Sequence, residues 1–258
     1  MPRVNWNENS MRYSMCFFPL VGAVIGICQL GLLYLLGYRL AFGTAVSAVC
    51  LTVLPVLLTG GIHLDGYLDT VDARSSCGSQ EEKLRILKDP HTGAFAIIYG
   101  IVYMLLYAGF MYELVSVSMS AWQKPAGMGF LDINKDPVCA GYLVMALAYV
   151  YIRILSGLSV VTFRKARKDG MAATTAASSD KTVGWILALE LVLCIAGMIM
   201  IHPLYGMVAA VVGFIVFGYY RYVSYKFFGG VTGDIAGYFL QVAELSVLIA
   251  IVLMQHIA

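Results

Sequence analysis

The sequence predicts an all-α fold, a polytopic integral membrane helix bundle of about seven transmembrane helices with a cytoplasmic N-terminus. Of the 258 residues, 60% are hydrophobic and only 12% are charged, whereas soluble domains carry about 25% charged residues. Several apolar stretches reach the ~18–20 residues that a helix needs to cross a bilayer. No linker or low-complexity tract divides the chain, so we expect a single domain over residues 1–258.

Apolar runs give the positions of the spans along the chain. In order, they are predicted at about 16–37, 41–62, 94–118, 137–160, 183–201, 203–223 and 239–257. The N-terminal tail is polar, with Asn5, Asn7 and Glu8, and it lacks the charged, apolar and small-residue order of a signal peptide. The six cysteines are scattered without paired metal-ligand spacing, which favours packing roles.

The distribution of basic residues predicts the orientation. Lys and Arg number 13 in the N-terminal tail and in the loops after the second, fourth and sixth spans, against 3 on the alternate side. The positive-inside rule then places the N-terminus in the cytoplasm and the C-terminus outside. We therefore expect a multi-pass protein in the cell (inner) membrane of a bacterium or archaeon, with the lipid bilayer around it and its active site facing the cytoplasm.

The segment that follows the second span concentrates acidic residues. In a helix, Asp65, Asp69 and Asp72 stand at i, i+4 and i+7 and share one face. Three like charges on one face repel each other, so a cation is expected among them. Carboxylates suit Mg²⁺, Ca²⁺ or Mn²⁺, and Mg²⁺ is usually held by a few carboxylates together with substrate phosphates. The pattern predicts a divalent-metal site that faces a phosphorylated substrate at the membrane surface.

Residues just before this acidic face are candidates for substrate contact. Gly60 and Gly61 allow unusual backbone torsions and close approach by a ligand, so we expect them to form a backbone wall against a phosphate. His63 has two interpretations, a hydrogen-bonded structural residue or a contact to phosphate or substrate.

The loop after the acidic segment adds two charged candidates. Ser79 and Glu82 fit a capping box, which predicts a short amphipathic helix that ends near Pro90. Asp89 could complete the metal shell or act as a base, and Lys88 could neutralise phosphate. A solvated Lys-Asp pair is the alternative for these two residues.

Two more polar features lie later in the chain. Arg153 falls inside the fourth span, where an ionisable residue is costly; it could pair with Glu244 or bind an anionic substrate. Thr232 and Asp234 lie in a glycine-rich loop before the last span. Asp234 could cap that span, or the helix start could receive a phosphate. The spacing matches neither a P-loop nor a dinucleotide-binding fingerprint.

Together these motifs resemble the cobalamin synthase family, the adenosylcobinamide-GDP ribazoletransferases. The resemblance runs nearly end to end and rests on five blocks in the family's order: Phe18–Gly22, Leu58–Asp72, Leu87–Gly93, Ala166–Gly170 and Gly229–Glu244. The second and last blocks are the most specific ones.

The chain departs from the family pattern in three places. Ala73 replaces the usual glycine after Asp72, and Pro90 replaces a common serine after Asp89; neither removes a carboxylate. Family members also carry residues ahead of the position where this sequence starts, so an N-terminus truncated relative to the family is one interpretation.

The resemblance implies the last assembly step of vitamin B12 biosynthesis. The cobinamide phosphate of adenosylcobinamide-GDP would pass to the ribose 3′-hydroxyl of α-ribazole or α-ribazole 5′-phosphate, with release of GMP and use of Mg²⁺. The expected catalytic and metal-binding residues are Asp65, Asp69, Asp72 and Asp89, and the expected substrate-binding residues are Gly60, Gly61, His63, Lys88, Arg153, Thr232 and Asp234. No nucleic-acid partner is expected, and a homo-oligomer stays open.

Two other functions compete with this interpretation. A CDP-alcohol phosphotransferase also places spaced aspartates on membrane helices, but its pattern has a glycine after the second Asp, whereas Gly66 follows the first Asp here. An ion-coupled transporter could line a path with Arg153 and Glu244. Transporter sites usually lie near the midplane between repeats, and this chain shows no repeat.

Overall fold

The computed structural model describes residues 12–122, 137–167, 170–180 and 182–257, which are mostly helical and contain no β-strand. These residues form ten α-helices: α1 Phe18–Leu33, α2 Thr44–Leu58, α3 Ile62–Ser75, α4 Gln80–Ile86, α5 Ala94–Trp122, α6 Pro137–Thr162, α7 Met171–Ser178, α8 Thr182–Ile201, α9 Pro203–Phe228 and α10 Gly233–Ile257. A 3₁₀ turn, Ser14–Phe17, leads into α1, and a π-helical turn, Tyr34–Arg39, extends it. The predicted all-α fold is confirmed.

Six helical stretches of the described chain are long and apolar enough to cross a membrane. They are Ser14–Arg39 and the helices α5, α6, α8, α9 and α10. The pair α2 and α3 meets the same criterion only when taken together, and its two helices are bent by 89° at the break between them. The prediction of about seven spans therefore holds if the bent pair counts as one span, and that span is two short helices rather than one continuous helix.

The second predicted span, 41–62, is wrong in its last turn. Helix α2 has only 15 residues and ends at Leu58, and Gly60 and Gly61 then adopt φ angles of 63° and 78°. This left-handed conformation is routine only for glycine. The Gly61 amide donates to the Val56 carbonyl at 2.8 Å, so the bend has its own hydrogen bond and α3 starts in a new direction.

The start of the last predicted span, 239–257, is also wrong, since α10 begins at Gly233. The Thr232 hydroxyl accepts a hydrogen bond from the Ile235 amide at 3.3 Å, which is the role of an N-cap side chain. The prediction that Asp234 caps this span is therefore wrong: Asp234 belongs to the first turn of α10.

The capping box predicted before α4 is confirmed. Ser79 accepts from the Glu82 amide, and the Glu82 carboxylate accepts from the Ser79 amide at 2.7 Å. The short helix ends at Ile86, close to the predicted end before Pro90.

Helices α6 and α10 lie at the centre of the bundle and are buried along most of their length, whereas α8 presents most of its surface outward. Helix α6 packs against α1, α8 and α10, and α10 also packs against α3 and α9. In this core Arg153 of α6 and Glu244 of α10 form an ion pair at 2.8 Å, with both side chains 1% exposed. Of the two interpretations of Arg153, the structure shows the pairing with Glu244; binding of an anionic substrate by Arg153 stays a prediction.

Candidate active site

Helix α3 carries the acidic face that the sequence predicted. The carboxylate of Asp69 experiences electrostatic repulsion from Asp65 and Asp72 on its own helix, and also from Asp234 on α10. Asp65 is exposed, and the other three are partly buried. Four carboxylates from two helices thus share one region, where their mutual repulsion favours a bound cation.

Close backbone contact between α3 and α10 brings these carboxylates together. A Cβ atom at residue 66 would lie 2.7 Å from the Asp234 carbonyl oxygen and 2.9 Å from the Asp234 Cα. From the other helix, a Cβ at residue 237 would lie 3.0 Å from the His63 carbonyl oxygen. Because both contact positions are glycine, the two backbones approach more closely than side chains would permit.

The C-terminal end of α3 is held by Lys83 of α4. Its ammonium group donates to the Ala73 carbonyl at 3.3 Å and contacts the carbonyl of Ser76, and its side chain is 7% exposed. A cation at a helix C-terminus interacts favourably with the helix dipole and the unpaired carbonyls. Lys83 therefore positions the acidic helix. In the sequence, Lys83 is one of several basic residues of its loop, and no local pattern indicates this role.

The loop before α5 lies against the acidic face at Asp72. A Cβ atom at residue 93 would overlap the Asp72 carboxylate, so this loop approaches as closely as a glycine allows. Asp89 on the same loop is exposed and accepts hydrogen bonds from the His91 amide at 3.0 Å and the His91 ring at 2.7 Å. These bonds lower the pKa of the Asp89 carboxyl. The interactions of Asp89 are thus with His91 rather than with the other carboxylates, while Lys88 is exposed beside it.

A cavity of about 400 Å³ opens beside the acidic face. Its polar lining comes from seven side chains, His63, Asp65, Ser156, Arg167, Thr175, Thr232 and Asp234. Its apolar lining includes Met15, Phe18, Ile62, Val160 and Leu240. Four predicted site residues therefore line one cavity: His63, Asp65, Thr232 and Asp234. Gly60 and Gly61 form the bend that precedes it, and their contact with a phosphate stays a prediction.

Arg167 lines the cavity as well, although it is not among the site residues predicted from the sequence. Its guanidinium donates to the Leu84 carbonyl and attracts the carboxylate of Asp234. Its segment is fixed against the turn before α10, since the Ala166 amide donates to the Val231 carbonyl at 3.1 Å and the Val231 amide donates to the Arg164 carbonyl at 2.9 Å. The only indication of this role in the sequence is that Arg167 belongs to the Ala166–Gly170 block, one of the five blocks of the family resemblance. Lys168 and Asp169 of that block lie outside the described residues.

Arg153 does not line the cavity but is buried in the core of the bundle. Its guanidinium donates to the Tyr149 carbonyl at 3.0 Å and pairs with Glu244, and its positive charge acts on His63. The structure thus supports a role for Arg153 in the interior of the bundle.

The donor groups at this site suit a particular mode of metal binding. Within the described ranges, no three His, Cys, Asp or Glu side chains converge closely enough to hold a metal ion on their own. Mg²⁺ seldom uses an all-protein cage and is usually bound by one or two carboxylates, waters and substrate phosphates. The carboxylates of Asp65, Asp69, Asp72 and Asp234 fit this mode, in which a phosphorylated substrate completes the coordination.

Comparison with known proteins gives a consistent result over the whole chain. The family model for cobalamin-5-phosphate synthase matches residues 1–252. The adenosylcobinamide-GDP ribazoletransferase of Lachnoclostridium phytofermentans is 40% identical over 261 residues, which cover 100% of this chain and 90% of the relative. The enzymes of the same name from Clostridioides difficile and Pseudomonas fluorescens are 32% and 30% identical, over 93% of this chain and 87% and 88% of their own lengths. No solved structure matches the chain.

Proposed function

Since this chain belongs to the cobalamin-5-phosphate synthase family, we propose that the acidic face of α3, Asp234 and the adjoining cavity form its active site as an adenosylcobinamide-GDP ribazoletransferase. The reaction is the final step of cobalamin synthesis. This membership sets aside both the CDP-alcohol phosphotransferase and the transporter interpretations.

The transfer exchanges one phosphorus–oxygen bond for another. In either acceptor, α-ribazole or α-ribazole 5′-phosphate, the ribose 3′-oxygen bonds to the phosphorus next to cobinamide. The bond from that phosphorus to GMP breaks. The hydroxyl proton leaves with a base, and GMP departs with the bridging oxygen. Such transfers need charge neutralisation and positioning more than covalent participation by the protein.

We propose that Asp65, Asp69 and Asp72 hold Mg²⁺ together with the diphosphate of the donor. When bound, the metal would neutralise charge on the diphosphate and on the departing oxygen. The fourth carboxylate of this set is Asp234 rather than Asp89, because Asp234 acts electrostatically on Asp69 whereas Asp89 is engaged with His91. The observation that carries this proposal is the meeting of four carboxylates from α3 and α10.

The same end of the bundle carries most of the basic residues, which supports a site that faces the cytoplasm. In the described ranges the basic residues at this end are Arg12, Arg74, Lys83, Arg85, Lys88, Arg164, Lys165, Arg167, Arg221 and Lys226, and Arg39 lies at the opposite end. Arg3, Lys124, Lys135, Lys168 and Lys181 of the sequence count fall outside those ranges.

The test is GMP release by the purified protein in detergent or liposomes that contain adenosylcobinamide-GDP, α-ribazole and Mg²⁺. Asp69→Asn should lower turnover by roughly 10²–10³-fold, and EDTA should abolish turnover until Mg²⁺ is restored. The matched control is Glu113→Gln, which makes the same chemical change beside His256 at the other end of the bundle. If the wild type is active and Asp69→Asn retains most of that activity, the carboxylate site is refuted.

A further inference from the structure

A second, shallower hollow lies on the outer surface of α9, at the basic end of the bundle. It measures about 490 Å³ and is lined by residues of this one helix: Gly218, Arg221, Tyr222, Tyr225 and Lys226. None of them lines the cavity beside the acidic face. We propose that this hollow, the α9 groove, binds the headgroup of an anionic phospholipid, whose phosphate lies between Arg221 and Lys226. The inference does not depend on the reaction proposed above.

Helical spacing places the two cations on either side of the α9 groove. Tyr222 and Lys226 are four residues apart and form one row along the helix surface, and Arg221 and Tyr225 form the neighbouring row. Gly218 precedes both rows, and a Cβ there would meet no atom within 4 Å. The groove is therefore open toward the middle of α9 and flanked by positive charge on both sides.

Aromatic rings hold both cations in place. The Arg221 guanidinium lies over the rings of Phe163 and Tyr225, 5.4 and 5.6 Å from their centroids, and the Lys226 ammonium donates to the Tyr222 hydroxyl at 2.6 Å. Within the described residues, neither cation pairs with a carboxylate. Two fixed cations without a counter-charge suit a phosphate, and the Tyr222 hydroxyl keeps its own hydrogen to donate.

The apolar surface next to the α9 groove favours a lipid over a soluble phosphate. Toward the middle of α9, the outward face continues with Val211, Phe214 and Ile215, which are 57%, 45% and 66% exposed. In a membrane span, such a face contacts acyl chains, whereas tyrosine rings and long basic side chains lie at the level of the headgroups. A phospholipid matches this order, and a free phosphate would use only its charged part.

The charge of the α9 groove favours an anionic lipid. Basic pockets at the cytoplasmic side of transmembrane helices bind anionic headgroups. Phosphatidylglycerol brings a phosphate without a cation of its own, whereas phosphatidylcholine would bring its quaternary ammonium toward Arg221 and Lys226. We therefore expect the groove to discriminate between these two lipids.

The experiment is native mass spectrometry of the full-length protein in detergent, with phosphatidylglycerol or phosphatidylcholine added in turn. The dissociation constant of the first bound phosphatidylglycerol should be lower than that of phosphatidylcholine by about fivefold or more. Arg221→Gln should weaken phosphatidylglycerol binding about fivefold, and a double variant that also carries Lys226→Gln should weaken it roughly 30-fold. The matched control is Arg85→Gln, which removes the same charge from α4 at the same end of the bundle and should leave binding unchanged.

Filling the α9 groove separates a defined site from a diffuse attraction between charges. Gly218→Leu places a side chain between the two rows without changing the charge, and should weaken phosphatidylglycerol binding by about fivefold or more. Its control is Gly184→Leu on α8, because a Cβ at residue 184 also meets no atom within 4 Å.

Three results would overturn the proposal: equal affinity of the wild type for the two lipids, equal phosphatidylglycerol affinity of the wild type and the double variant, or unchanged binding by Gly218→Leu. Displacement of the lipid by inorganic phosphate at the same concentration would identify a site for soluble phosphate instead, and would also overturn it. If Arg221→Gln fails to fold, as judged by size exclusion, Lys226→Gln and Gly218→Leu decide the question.

Discussion

The contact between α3 and α10 makes Gly66→Ala the most informative single change. The new Cβ would lie 2.7 Å from the Asp234 carbonyl oxygen and 2.9 Å from its Cα, whereas carbon contacts are favourable only at about 3.5–4.0 Å. The obstructing atoms are backbone, so no side chain can rotate away. The two helices must separate by roughly 0.6–0.8 Å at this point to restore normal contact.

That separation acts directly on the carboxylate set. Asp65 and Asp69 move with α3 and Asp234 moves with α10, so the arrangement changes by an amount close to the ~1 Å error that costs about 10²-fold in rate. We expect kcat for GMP release to fall by about 10–10²-fold and the free energy of unfolding to fall by about 1–3 kcal/mol from overpacking.

The assay compares GMP release and thermal unfolding of Gly66→Ala with those of Gly109→Ala. Gly109 lies on α5, and a Cβ there would meet no atom within 4 Å, so the control should keep wild-type kcat. A Gly66→Ala enzyme with more than half of the wild-type kcat would show that the α3–α10 contact does not set the site geometry.

Three further changes test the supports of the site. Lys83→Met removes the cation from the end of α3, so we expect a stability loss of about 1–2 kcal/mol in thermal unfolding and a lower kcat; an unchanged melting temperature would contradict this. Glu244→Gln leaves the Arg153 charge buried without its partner, which should cost about 3–5 kcal/mol of stability. The melting temperature should fall accordingly, and a double variant that also carries Arg153→Met should recover part of the lost stability. Gly93→Ala obliges the Asp72 carboxylate to rotate, so kcat should fall less than for Gly66→Ala, and a larger loss would show that the loop itself is catalytic.

Features that depend on local spacing were predictable from the sequence. The shared face of Asp65 and Asp69 follows from helical periodicity, and the capping box at Ser79 follows from the side chains of two residues three positions apart. The existence and order of the spans follow from apolar length. Each of these features is set by residues within a few turns of each other, which is why the structure confirms them.

Features that depend on distant residues were not predictable in the same way. The run from residue 41 to 62 contains no charged residue, so its hydropathy does not reveal the 89° bend; Gly60 and Gly61 indicated unusual backbone torsions there but not a change of helix direction. Thr232 and Asp234 look like loop residues because they are polar, yet they start α10 where that helix borders the cavity. The approach of Asp234 and Arg167 to the acidic face requires the tertiary packing of α3 and α10, for which the sequence carries no local signal.

The bend also sets the depth at which the acidic helix α3 begins. The chain leaves the cavity end at Phe18 and has to return there before α3 begins, so α2 and the bend complete a seventh pass. At 1.5 Å per residue, the 15 residues of α2 span only about 22 Å of the ~30 Å hydrocarbon core. The start of α3 therefore lies below the level that a full-length span would reach. In the proposed reaction, Asp69 and Asp72, farther along α3, would then lie nearer the aqueous side, from which the charged diphosphate of the donor would reach them.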